Sequence, residues 1–206
     1  MTPTLTRTTR PLLVCGVLAG PLYVGTSLAQ AFTREGFDLG EHAWSLLATG
    51  DLGWIQTANF VVTGLLTMAA AVGLRWASVR GAALVGGYGL SLVAAGAFRA
   101  DPVPGFPVGA PATTTPTWHG MLHLVVGGIG FACLVAACLV LAAGFARAGN
   151  TGLTWFSRVT GVVFAAAFVG IASGSRGLAV LAFCAAVVLA WAWLGTVCAR
   201  FARVAA

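Results

Sequence analysis

The chain reads as six apolar runs, each long enough to cross a bilayer, and that pattern leaves few folds open. A spanning helix needs about 20 predominantly apolar residues. The runs lie at roughly 11–32, 54–76, 80–99, 119–146, 153–172 and 177–199. In lipid, every backbone N–H and C=O must find a partner inside the protein, so such runs are expected to be α-helices. The expected fold is all-α, an integral membrane bundle of six transmembrane helices forming one membrane domain over 1–206. Composition agrees, with 59% of residues hydrophobic and 8% charged, against about 25% charged in soluble domains. Close backbone packing and interhelical hydrogen bonds hold such a bundle. Gly16-x-x-x-Gly20 and Gly170-x-x-x-Gly174 are candidate places of close approach.

Segments 33–53 and 100–118 are expected to be loops, the first charged and the second rich in Pro, Gly and Thr. The connections at 77–79, 147–152 and 173–176 are short, so consecutive helices should be antiparallel neighbours. Every positive charge is an arginine. Arg7, Arg10, Arg75, Arg80, Arg147, Arg158, Arg200 and Arg203 fall on one side, against Arg34, Arg99 and Arg176 on the other. The positive-inside rule then places both termini in the cytoplasm and the two long loops outside, as in a multi-pass protein of the cell membrane. Trp44, Trp54 and Trp118 mark the outer interface, and Trp76 and Trp155 the inner one. The first run is read as a spanning helix rather than a leader, because it is long and carries polar residues at helical spacing. No arginine block forms a nucleic-acid patch, and the five cysteines lie in apolar segments as small hydrophobes. The bilayer is the expected partner. No oligomeric state is specified.

The outer side also gathers Glu35, Asp38, Glu41, Asp51 and Asp101, with all three histidines. Helix 1 presents Tyr23, Ser27 and Gln30 on one face of its outer half, and helix 2 presents Gln56, Asn59, Thr63 and Thr67. Such polar residues should face protein or water. Gln30, Gln56 and Asn59 are therefore candidate ligand-binding residues, or members of an interhelical hydrogen-bond network. His119 and His123 are an i, i+4 pair able to point the same way. Zinc would take them with a third ligand, for which His42, Glu41, Asp51 and Asp101 lie on the correct side. Gly120 stands where a zincin carries Glu, so another general base would be needed. Haem is disfavoured, since the intramembrane histidines share one helix. Asp51 is expected to cap helix 2, Asp101 to form a turn or ion pair with Arg99, and Arg176 to clamp an anionic headgroup or to snorkel.

Trp44-Ser45-Leu46-Leu47, Gly50-Asp51-Leu52-Gly53-Trp54-Ile55-Gln56-Thr57-Ala58-Asn59-Phe60 and Gly64-Leu65-Leu66 resemble the first loop and second helix of the domain-of-unknown-function 998 family. Asp101-Pro102-Val103-Pro104-Gly105-Phe106-Pro107 and His119-Gly120-Met121-Leu122-His123 resemble its third loop and the start of its fourth helix. The resemblance implies a multi-pass membrane protein without an established activity. It points to Ser45, Asp51, Asn59, Asp101, His119 and His123 as positions of interest. In residue types alone, the outer face is also similar to the membrane zinc hydrolases of the ceramidase and adiponectin-receptor group.

Two functions from different classes follow. The first is a polar, histidine- and acid-containing outer cavity that binds a small or lipid-like ligand. The alternative is a metal-dependent hydrolase acting on a lipid or isoprenoid, with His119, His123 and His42 as ligands and Asp51, Asp101 or Ser45 as catalytic candidates. Transport is less favoured, because no acidic residue falls at mid-membrane.

Overall fold

Each apolar run becomes one helix in the computed structural model, which describes residues 8–113 and 115–205. The helices are α1 (Thr9–Thr33), α2 (Gly53–Leu74), α3 (Val79–Ala97), α4 (Trp118–Arg147), α5 (Thr151–Ala172) and α6 (Leu178–Val204). All six are long and apolar enough to cross a membrane. The first loop contains a short 3-10 helix, Trp44–Ala48. Among the described residues there is no strand, only an isolated bridge between Val103 and Phe106. Arg7, one of the arginines of the orientation argument, lies outside the described residues.

Polar side chains fix where several helices begin. Ser78 accepts from the Gly81 N–H at the start of α3, Thr117 from Gly120 at α4 and Asn150 from Leu153 at α5. Each satisfies a donor that the first turn leaves unpaired. Helix α2 departs from expectation. Its N-cap is Leu52, which makes no side-chain cap, and Asp51 stands one residue too early to accept from the first turn.

The helices form a closed ring: each packs against its neighbours in sequence, and α6 returns to α1. Glycine permits the closest crossings. A Cβ on Gly64 would meet the Gly89 carbonyl at 2.7 Å, and one on Gly89 the Gly64 carbonyl at 2.8 Å, so α2 and α3 touch backbone to backbone. Gly16 and Gly20 seat α1 against Cys198 and Trp191 of α6. The second small-residue pair does something else, since Gly170 has only Ala179 near it and Gly174 lies beyond the end of α5.

The interior changes character along the ring. Towards the end that holds the termini, Leu13, Ala70, Leu74, Val197 and Cys198 are buried together with Phe145 and Trp193. There the Trp193 indole donates to Ser157 Oγ at 2.9 Å, satisfying its one polar atom. Towards the end that holds the long loops the interior is aromatic, with Tyr23, Phe60, Tyr88, Phe164 and Phe183 buried.

Candidate ligand cavity

The two long loops fold together into a cap over the ring. In Val103-Pro104-Gly105-Phe106, Val103 and Phe106 exchange both backbone hydrogen bonds at 3.0 Å, and Gly105 has φ of 88°. Proline second and a positive-φ glycine third are what a type II turn requires. The turn presents Phe106, which is fully buried against Phe37 in an edge-on contact at 5.1 Å and against His42 at 5.4 Å. Arg34, at the end of α1, donates to the carbonyls of Leu47 at 2.9 Å and Thr49 at 2.7 Å, with its guanidinium over the Phe106 ring. It thereby ties the 3-10 helix to both loops. Burial holds the Arg34 pKa below its ordinary value, while Asp51 acts in the opposite direction. Sequence reasoning passed over Arg34, although an arginine beside a helix C-terminus is well placed to reach free carbonyls.

Beneath the cap lies a cavity of about 360 Å³, within the roughly 300–1,000 Å³ of small-molecule sites. All six helices reach it, and Ala43, Trp44 and Ser45 close it from above. Aromatic side chains dominate the wall: Tyr23, Phe60, Tyr88, Phe131, Phe168 and Phe183. Trp44 packs on Tyr23 with ring centroids 6.2 Å apart. Leu124 and Ala172 line the cavity and are also exposed on the outer surface, so its edge reaches the seam between α4 and α5. That seam is tight near its middle, where a Cβ on Gly161 would lie 3.1 Å from Cys138. It slackens towards the cap: a Cβ on Gly128 would meet only Phe168 at 3.9 Å, and one on Gly127 nothing within 4 Å. A second, shallower groove of about 470 Å³ runs between α1 and α6 along Val17, Gly20, Pro21 and Trp191.

Of the residues singled out in the sequence, Tyr23, Ser45 and His123 line the cavity. The His123 Nδ1 lies 2.7 Å from the Phe98 carbonyl, which can only accept, so that nitrogen carries the proton. His119 faces the same helix end, with its ring 6.2 Å from that of Phe98, and it stacks on Trp118 in an exposed position. Both histidines thus lie near Phe98, His123 buried and His119 exposed. His42 lies elsewhere, in the cap, where its Nδ1 accepts from the Asp38 N–H at 2.9 Å. Burial lowers its pKa, and Arg176 adds to that while Asp38 and Glu41 oppose it. Among the described residues no group of three or more His, Cys, Asp or Glu is placed to share a metal.

The acids line none of the cavity. Asp101 does not pair with Arg99. Instead its carboxylate accepts from the Thr117 N–H at 2.9 Å and hydroxyl at 2.6 Å, which steadies the start of α4. Gly120 makes this possible, because a Cβ there would collide with the Asp101 carboxylate. Asp51 is exposed, and Arg176 meets Glu41 at 3.7 Å on the surface. Gln30, Gln56 and Asn59 join one another instead of the cavity wall. The Gln30 amide donates to Gln56 Oε1 at 2.8 Å, Gln56 donates to Ser27 Oγ at 3.2 Å, and Asn59 donates to the Tyr23 carbonyl at 3.1 Å.

These features define a six-helix membrane protein with a capped, largely aromatic cavity. The family model described as Protein of unknown function (DUF998) matches residues 17–200, and the chain belongs to that family. No curated protein and no solved structure matches it.

Proposed function

We propose that the protein binds a small lipid-like molecule in this cavity, and that the molecule passes from the bilayer through the seam between α4 and α5. The observation that carries the reading is an aromatic cavity capped on the loop side but reaching the outer surface at Leu124 and Ala172. A largely apolar wall with a few polar groups suits an amphiphile rather than a polar solute. The arginine distribution supports a cell-membrane setting with the capped end outside. The hydrolase reading has two histidines on one helix and no third ligand grouped with them among the described residues.

The test is native mass spectrometry of detergent-purified protein, followed by extraction and identification of bound lipid. The wild type is expected to retain a discrete lipid-like species. Gly128→Leu, which fills the seam beside Phe168, should lose it while keeping its helical circular dichroism. A wild type that carries no lipid and takes none up from added vesicles would remove the proposal.

A further inference from the structure

We infer that the cavity selects an amphiphile with an uncharged head, a hydroxyl or carbonyl compound rather than a phosphate or carboxylate. This rests on the lipid-binding reading above and goes further by naming the head group. Among the described lining residues there is no arginine, aspartate or glutamate. Several charged groups of the cap are engaged elsewhere: Arg34 donates to Leu47 and Thr49, Arg176 meets Glu41, and Asp101 accepts from Thr117, while Arg99 is exposed and does not line the cavity. An anionic head entering this space would lose its water and meet no arginine in return, which disfavours it strongly.

The cavity does offer neutral hydrogen-bonding groups, and they come from several directions. Tyr23 of α1 and Tyr88 of α3 line it, and neither hydroxyl has a hydrogen-bond partner among the described residues. Ser45 contributes from the 3-10 helix and His123 from α4. Because His123 Nδ1 is committed to the Phe98 carbonyl, Nε2 is the ring nitrogen left to meet a ligand. Two phenols that donate or accept and one imidazole nitrogen that accepts match a hydroxyl, which does both. A carbonyl would use the phenols and the Ser45 hydroxyl but not the imidazole nitrogen.

Binding to protein in phosphatidylcholine nanodiscs would be measured for three chain-matched probes: farnesol, farnesyl phosphate and the corresponding hydrocarbon. Farnesol should bind at least about tenfold tighter than either of the others. The Tyr23→Phe, Tyr88→Phe double variant keeps both rings, and its melting temperature reports folding. It should lose most of the alcohol's advantage over the hydrocarbon. Phosphate binding equal to or tighter than the alcohol would overturn the uncharged-head assignment and leave the lipid site standing. Equal binding of alcohol and hydrocarbon to the wild type would overturn head-group recognition. Failure of all three probes to bind would take down the lipid-binding reading as well.

Discussion

The Arg34 guanidinium sits 5.0 Å from the centroid of the Phe106 ring, and this contact joins the two long loops into one cap. The same group donates to the Leu47 and Thr49 carbonyls, so it splints the end of α1, the 3-10 helix and the Val103–Phe106 turn together. Hydrogen bonds from a charged donor contribute about 1.5–3 kcal/mol each, and a cation over an aromatic face about 0.5–2 kcal/mol. Arg34→Ala is therefore expected to weaken the cap by about 2–4 kcal/mol. Arg34→Lys should lose most of that, because an ammonium cannot reproduce the planar fork. Hydrogen exchange across residues 44–49 checks this: both variants should exchange faster, and unchanged protection in Arg34→Ala would show that the cap stands without it.

Acid should loosen the same cap through His42. Its Nδ1 accepts from the Asp38 N–H, which a protonated ring cannot do, and burial lowers its pKa with Arg176 adding to the effect. Asp38 and Glu41 pull the other way without reversing it. With the folded pKa below the unfolded one, the unfolded state takes up the proton first. Cap stability is thus full above the ordinary histidine value of about 6.5 and declines as pH falls below it. The wild type should lose amide protection in the cap between neutral and mildly acid pH. His42→Gln should show no such step, and a step of equal size in that variant would assign the transition to another group.

Gly120 offers a test in which the sign is decisive. On helix propensity alone, Gly→Ala at an internal position stabilises by up to about 1 kcal/mol. Here the added methyl would occupy the place of the Asp101 carboxylate, which accepts twice from Thr117 at the head of α4. Gly120→Ala is expected to destabilise by about 1–2 kcal/mol, the cost of a lost cap and its bracing hydrogen bonds. Thermal unfolding in detergent measures it, with Thr117→Ala as a companion of similar size. A stabilised Gly120→Ala would show that propensity outweighs the Asp101 contact.

The helices were legible because an apolar run of spanning length has one solution in lipid, and each of the six runs took it. Their ends were less so. Asp51 looked like a cap because it precedes a helix, but α2 begins after Leu52, and the carboxylate falls outside the first turn. The cavity was hardly legible, since a phenylalanine facing lipid and one facing a cavity look alike in a transmembrane run. Phe131, Phe168 and Phe183 acquire meaning only once the ring closes from α6 onto α1. Tyr23 and His123 were visible because polar atoms in apolar surroundings need a reason to be there, whereas Ser45 was marked only by the family resemblance. The same signal drew attention to Gln30, Gln56 and Asn59, which hydrogen-bond to one another instead, although Gln30 Oε1 and Asn59 Oδ1 are buried without a partner among the described residues.

That amide network provides the last test, because it separates holding the fold from holding a ligand. Gln30 and Asn59 both donate to Gln56 Oε1, at 2.8 Å and 3.3 Å, so Gln56 is the shared acceptor between α1 and α2. Gln56 is fully buried and does not line the cavity. Interhelical hydrogen bonds in membrane proteins contribute about 0.6 kcal/mol on average and up to about 1.7 kcal/mol. A double-mutant cycle with Gln30→Leu and Gln56→Leu should return a coupling in that range, and each single variant should be less stable than the wild type. Farnesol affinity measured in the same preparations should stay within about twofold of the wild type, or about 0.4 kcal/mol. A larger loss of affinity at full helicity would move these amides from the scaffold into the binding site, whereas zero coupling would mean that the register of α1 on α2 is set by apolar packing alone.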